Sequence, residues 1–144
     1  MSRSLVKISE ATALALHATI YLASQAGRRV PLAVIAKVHG ASAATLSKVM
    51  QRLVHAGLVR SVRGPRGGFE LLKDPGEIAL VAVYEAIEGP LSPAHCLLQK
   101  RVCDGSQCIL GPLVEQVNRE VRDYLENTNI AQLVGVYKEI RANA

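Results

Sequence analysis

Residues 42 to 69 read SAATLSKVMQRLVHAGLVRSVRGPRGGF and carry the strongest structural signal in the chain. The first half predicts a helix over Ala43 to Ala56, because Ser42 can cap its N-terminus and Gly57 follows its last turn. Apolar side chains recur in it at i, i+3, i+4 and i+7, which predicts one buried stripe of Leu46, Val49, Met50 and Leu53. The outer face of this helix is polar and basic.

The second half predicts a β-hairpin, in which the short strands LVRSV and FELLK flank the tip RGPRGG. The tip combines Pro65 with glycines that tolerate positive φ, namely Gly64, Gly67 and Gly68. Arg63 and Arg66 project from it. A hairpin with arginines at its tip, directly after such a helix, is typical of a wing that meets phosphates or a minor groove.

Two further helices are predicted before this stretch. Ser9 can cap the first, whose apolar face recurs through Leu14, Ala18, Tyr21 and Leu22. Pro31 opens the second, Leu32 to Val38, and HGAS connects it to the helix that Ser42 caps. Two helices joined by a short turn containing glycine indicate a helix-turn-helix. We expect Arg52 to approach phosphate. We expect the major groove to contact four other residues of this region, namely Ser42, Ala43, Thr45 and Lys48.

The distribution of charge supports a nucleic-acid partner. From Ala11 to Phe69 there is no Asp or Glu, whereas the same 59 residues carry eight Lys and Arg. Residues 70 to 144 carry eleven acids and seven bases, so the net charge of +5 comes from the N-terminal half. A basic region without acids is the electrostatic footprint expected for double-stranded DNA.

Composition limits the other classes. With 144 residues, 49% of them apolar, the chain suits one compact domain with an appended helix. We expect a cytoplasmic protein that does not enter the membrane, because no apolar run reaches spanning length and no signal-peptide pattern opens the sequence. An enzyme is not expected, because no nucleophile motif or paired carboxylates stand out.

The C-terminal half predicts a fourth helix, Ile78 to Glu88, which ends at Gly89 and is followed by the breaker-rich loop GPLSP. A long amphipathic segment then carries one apolar stripe, comprising Leu110, Leu113, Val114, Val117, Val121, Tyr124 and Leu125. This helix either packs on its own domain or pairs with its copy in a second chain. NTNIAQLVGVYKEIRANA predicts a short final helix.

All three cysteines lie in HCLLQKRVCDGSQC, as Cys96, Cys103 and Cys108. An odd number of thiols makes a disulfide framework unlikely in the cytosol, and three thiols on an irregular loop can wrap zinc, copper(I) or an iron–sulfur cluster. Structural zinc sites usually show closer cysteine pairs and four ligands, whereas wider spacing with one ligand missing suits a cluster. Three unrelated free cysteines are the remaining alternative.

The stretch VHGASAATLSKVMQRLVHAGLVRSVRGPRGGFELLKDP, with the later VYEAIEGP and NIAQLV, resembles the Rrf-two family of bacterial regulators over essentially the whole chain. The resemblance implies a mainly α fold with a small β-hairpin wing: a winged helix-turn-helix domain (residues 1–89), a cysteine loop (90–109), and a dimerisation helix with a C-terminal helix (110–144). It implies a homodimer on a two-fold DNA operator, with an interface at Leu113, Val117, Val121 and Tyr124.

The resemblance also implies, in many members, an iron–sulfur cluster held by the three cysteines. The best-known iron–sulfur members have a His three residues after the third cysteine, where this chain has Gly111. Other branches use an acid near the first helix or a His near the helix-turn-helix, so Glu10 and His39 are the candidate fourth ligands here.

The expected function is therefore a transcriptional regulator or repressor whose DNA affinity is switched by a [2Fe-2S] or [4Fe-4S] cluster acting as a redox sensor. Two alternatives stay open. One is a cluster-free or zinc-stabilised winged-helix repressor, which fits every feature except the cysteine spacing. The other is an iron–sulfur carrier or scaffold protein, which leaves the acid-free half and the wing arginines unexplained.

Overall fold

A computed structural model describes residues 8–25, 27–91, 98 and 100–137. It is mainly helical with a two-stranded antiparallel hairpin, as predicted. The elements are α1 (Glu10–Ser24), α2 (Leu32–His39), α3 (Ala43–His55), β1 (Val59–Val62), β2 (Gly68–Leu71), a 3-10 turn (Pro75–Glu77), α4 (Leu80–Glu88), α5 (Leu113–Asn127) and a 3-10 segment (Ile130–Tyr137), which we call the C-terminal segment.

Serine caps begin α1 and α3, as the sequence predicts. The backbone N–H of Thr12 donates to Ser9 Oγ, and that of Thr45 donates to Ser42 Oγ, each at 3.1 Å. Both bonds satisfy a donor that the first turn of a helix leaves free. The predicted stripe of α3 is buried, and it meets Ile35 of α2 and the buried face of α1 in one core.

The wing is an antiparallel pair in which Val59 lies opposite Leu71 and Val62 opposite Gly68. Phe69 also exchanges two backbone hydrogen bonds of 2.9 Å with Val30, which fixes the hairpin to the segment before α2. Gly68 has φ +147°, and a Cβ there would lie 2.6 Å from the carbonyl oxygen of Val30. Gly67 has no room for a side chain, because a Cβ would lie 2.3 Å from the carbonyl oxygen of Val62.

The predicted start of the fourth helix at Ile78 is wrong, because α4 begins at Leu80. Ile78 is extended, and its carbonyl accepts a 3.0 Å hydrogen bond from the N–H of Ile130. Ala79 and Asn129 form an isolated β-bridge beside it. A buried apolar residue in an extended link and one in a first helical turn look alike in sequence, so the pattern alone could not separate them.

The predicted apolar stripe of the long helix divides between two directions. Leu125 is buried against the chain's own core and Val114 is half-buried. The interface candidates stay exposed, at 51% for Leu113, 38% for Val117, 36% for Val121 and 57% for Tyr124. Leu110 precedes the helix, which begins at Leu113. A row of four exposed large apolar side chains therefore remains along α5.

The C-terminal segment packs back onto α1, and Ile130 and Tyr137 join the core. The predicted final helix is thus a 3-10 helix as far as Tyr137, and residues 138–144 lie outside the described part. No helix in the described ranges combines the length and the apolar character that crossing a bilayer requires.

Candidate DNA-binding face and cysteine loop

The outer face of α3 is exposed from its first turn to its last. Ala43, Thr45 and Lys48 lie on the exposed surface, as expected for a helix that enters a groove. Ser42 is also exposed, but its hydroxyl caps the helix and donates a 2.8 Å hydrogen bond to Thr45 Oγ1. Thr45 keeps its own hydroxyl proton, so it is the better placed of the two to donate to a base edge.

Gln51 is an exposed residue of the same face that the sequence prediction did not include as a contact. It lies three residues after Lys48, so the two side chains share one side of the helix. A side-chain amide can form two hydrogen bonds with an adenine, so Gln51 has the chemical groups needed to recognise a base. Its helical spacing from Lys48 was the available signal.

The basic residues of the wing fall into two groups. The guanidinium of Arg60 is hydrogen-bonded to Glu70, and Arg29 Nε lies 3.6 Å from the same carboxylate. The Arg60 hydrogen bond, with a smaller contribution from Arg29, holds the pKa of Glu70 below its usual value. Arg63 and Arg66 are exposed at the tip. Glu70, the first acid after the acid-free span, thus pairs with the arginines where the wing begins, and positive charge remains at the wing's tip.

Arg52, which the sequence predicts to approach phosphate, is exposed and reaches the end of α4. Its Nη1 donates a 3.1 Å hydrogen bond to the carbonyl of Ile87, in the last turn of that helix. Arg52 also lines a cleft of about 590 Å³ between α3 and α4, together with Lys48, Gln51, His55, Ala56, Glu85 and Ala86. The side chain therefore connects two helices of the chain itself.

Residues 90, 91, 98 and 100–109 of the cysteine loop are described, and Cys103 and Cys108 are exposed free thiols. Asp104 organises the stretch between them: its carboxylate accepts hydrogen bonds from the N–H and hydroxyl of Ser106 at 2.9 and 2.6 Å. These bonds lower the pKa of Asp104. The guanidinium of Arg101 donates to the Asp104 carbonyl at 2.8 Å. Cys96, the first predicted ligand, lies outside the described residues, as does His95.

The donor chemistry of this loop fits a soft metal or an iron–sulfur cluster, because two accessible thiols lie on irregular backbone. Within the described ranges, no three His, Cys, Asp or Glu side chains come close enough to hold a metal ion. The predicted ligand set needs Cys96, so the described residues supply part of it.

The two candidates for a fourth ligand differ in their surroundings. Glu10 is exposed in the first turn of α1. His39 is half-buried, with Nδ1 2.7 Å from the carbonyl of Ile35 and Nε2 2.8 Å from the hydroxyl of Tyr137. Burial is the main cause that lowers the pKa of His39. Since both ring nitrogens already have partners, we keep Glu10 and leave His39 out of the proposed ligand set.

A capped recognition-type helix, a helix before it joined by a tight turn, and a wing with exposed arginines define a winged helix-turn-helix DNA-binding protein. The chain belongs to the Rrf2 family, whose profile, described as an iron-dependent transcriptional regulator, matches residues 8–135. It is thus a transcriptional regulator and not an enzyme.

Individual relatives agree with this assignment. The chain is 34% identical over 131 residues to an HTH-type transcriptional regulator of Aquifex aeolicus, covering 89% of this chain and 91% of that protein. It is 36% identical over 115 residues to the HTH-type transcriptional regulator IscR of Serratia proteamaculans, covering 80% and 70%. Among solved structures, CymR, the global cysteine regulator of B. subtilis, superposes with a TM-score of 0.74 at 28% identity, covering 92% of this chain and 98% of that one.

Proposed function

We propose that this regulator binds a two-fold DNA operator as a homodimer, and that an iron–sulfur cluster held by the cysteine loop changes its affinity. One observation carries the DNA-binding part: Lys48 on α3 and both tip arginines, Arg63 and Arg66, are exposed within a span that has no acidic residue. Exposed cations in such a span attract a polyanion and release its counterions. Thr45 and Gln51 add donors that can read base edges.

The exposed apolar row of α5 supports a second copy of the chain as its partner. Leu113, Val117, Val121 and Tyr124 leave large apolar surface in water. A groove of about 570 Å³ runs beside them, and Leu16, Leu80 and Tyr84 contribute to its wall. A self-complementary apolar helix face suits a two-fold interface, and two-fold symmetry lets two recognition helices meet half-sites about one DNA turn apart.

The cysteine loop supports the switching part by its position, between α4 and α5. Cys96, Cys103 and Cys108 would hold the cluster, and Glu10 would complete its ligand set. When bound, such a cluster supplies a group whose presence depends on iron supply and redox state. A carboxylate as fourth ligand would be more labile than a thiolate, which suits a sensor. Similarity to an IscR supports this proposal.

A regulator without a cluster is the second candidate, because the description of one similar structure refers to cysteine and not to iron. The solved structure of CymR, which is described as a global cysteine regulator, matches this chain over 98% of its own length. The wing, α3 and α5 would act in the same way in that case. The thiols would then be free or would hold zinc.

Footprinting across the gene's own promoter region tests the proposal and separates the two candidates. Protein purified without oxygen would be compared with the same preparation after iron removal, with iron and sulfide measured in both. We expect a symmetric footprint and an affinity that differs about 5- to 150-fold between the two forms. If the protein purified without oxygen holds no iron or sulfide and still gives a symmetric footprint, the cluster-free regulator is favoured. The absence of any footprint from either form would contradict operator binding.

A further inference from the structure

The C-terminal end of α4 is a junction of three helices. Arg52 of α3 donates to the carbonyl of Ile87 at 3.1 Å. Thr12 of α1 donates from Oγ1 to Glu88 Oε1 at 2.6 Å, and the hydroxyl of Ser9 bonds the same oxygen. The recognition helix and the start of α1 are thus both fastened to the last turn of α4.

The chain beyond this turn is tied on its other side. The N–H of Leu91 donates to Glu85 Oε2 at 3.3 Å, and Arg122 of α5 donates from Nη2 to the carbonyl of Leu91 at 3.3 Å. Leu91 lies at the start of the cysteine loop, two residues after Gly89, which caps the end of α4. The start of that loop therefore bonds directly to α4 and α5, and the last turn of α4 in turn bonds α3 and α1.

Electrostatics favour the same arrangement. The carbonyls at a helix C-terminus carry partial negative charge, which a guanidinium stabilises. Thr12 is fully buried, so its hydroxyl needs a partner, and Glu88 provides one. Hydrogen bonds from Ser9 and Thr12, with a smaller contribution from the Arg52 charge, lower the pKa of Glu88. Arg52 thus bonds a helix end, whose partial negative charge weakens its attraction for a phosphate.

We propose that Arg52 and Glu88 are positioning residues that hold the recognition helix in its DNA-binding orientation from the end of α4. Arg52 acts through Ile87 and Glu88 and does not contact phosphate. This inference deepens the proposed function, because it uses operator binding as one of its two readouts.

The salt dependence of operator binding distinguishes positioning from phosphate contact. Arg52→Met keeps most of the side-chain stem and removes the charge and the donors. We expect it to weaken operator binding about fivefold or more with an unchanged slope of log affinity against log salt. Arg66→Met is the matched control, because an exposed wing arginine that meets DNA should lower the slope by about one. A drop of about one for Arg52→Met, or an unchanged affinity, would overturn the proposal.

Glu88→Gln gives a test in which the sign of the effect decides. Removing a negative charge from a DNA-binding protein strengthens binding if only general electrostatics act. Positioning predicts weaker binding, and an effect smaller than the sum when Glu88→Gln and Arg52→Met are combined. Glu77→Gln, at an exposed site on the 3-10 turn, is the control for charge alone. Tighter binding by Glu88→Gln, equal to that of the control, would refute the role of Glu88.

A readout without DNA keeps this inference separate from the proposed function. Amide hydrogen exchange in the last turns of α3 should become faster in both Arg52→Met and Glu88→Gln, and remain unchanged in Arg66→Met. Faster exchange in the two junction variants would uphold the junction even if no operator were found. Unchanged exchange would overturn it even if the operator bound well.

Discussion

Tyr137 and His39 are joined through their side chains, with Tyr137 Oη 2.8 Å from His39 Nε2. The same hydroxyl donates a 2.8 Å hydrogen bond to the carbonyl of His17. The ring of Tyr21 packs edge-on against both partners, with ring centroids 5.7 Å from His39 and 5.3 Å from Tyr137. The last described residue thereby fastens the C-terminal segment to α1 and to the end of α2, the first helix of the DNA-binding pair.

This contact predicts a pH dependence of stability. Burial lowers the pKa of His39 from its usual 6.5, the charge of His17 adds to this, and the hydrogen bond with Ile35 opposes it. The unfolded chain then binds a proton at higher pH than the folded one, so the free energy of unfolding falls as pH drops below about 6.5 and levels off below the folded pKa.

Urea denaturation between about pH 7.5 and pH 5 measures this effect. His39→Gln should lose part of the dependence, whereas the control His55→Gln, at an exposed site on α3, should keep it. Equal pH dependence in wild type and His39→Gln would contradict the prediction.

The wing makes a second prediction. Arg66→Ala should weaken operator binding by about 1–3 kcal/mol and lower the salt slope by about one. A larger loss on the operator than on unrelated DNA would indicate reading of the minor groove, whereas equal losses would indicate phosphate contact alone. Arg60→Ala is the control, because Glu70 already binds that guanidinium. Full operator affinity after removing both Arg63 and Arg66 would rule out the wing.

A third prediction concerns assembly. Replacing Val117 and Val121 by Asp places like charges along the exposed row of α5, so we expect a monomer that binds its operator poorly. Arg119→Asp adds negative charge on the polar side of α5, where Arg119 pairs with Glu115, and should leave the dimer intact. Sedimentation velocity measures the outcome, and an unchanged dimer in the double variant would locate the interface elsewhere.

A fourth prediction concerns the cysteine loop. Cys96→Ala, Cys103→Ala and Cys108→Ala should each abolish bound iron and the visible absorbance of protein purified without oxygen. Glu10→Ala should shift or destabilise that absorbance, whereas Ser106→Ala, between two of the cysteines, should retain it. Folding of the DNA-binding part should survive, because Glu10, Cys103 and Cys108 are exposed and lie outside the buried core. Iron bound at wild-type levels in all three cysteine variants would contradict the assignment.

The sequence alone was enough for the helix-turn-helix and the wing, because both are written in local signals. Ser42 caps α3, its apolar residues repeat at helical spacing, and glycines occupy the tight positions of the hairpin. The backbone preferences of glycine and the period of an amphipathic helix act over a few residues, so they can be read before any fold is known. The acid-free span is likewise a property of the sequence.

Tertiary structure decided which of these residues have partners within the chain. It buried Leu125 and left Val117 exposed. It also brought the carboxylate of Glu70 to Arg60 and the backbone carbonyl of Ile87 to Arg52. Thr12 and Glu88 meet across 76 residues of sequence. A cation interacts with the acid or carbonyl that lies nearest to it in the folded chain, and local sequence patterns do not contain that distance. The sequence therefore determined which surface is basic, and the pairing of the wing strands and the packing of α4 against α1 and α3 decided which of its cations have partners within the chain.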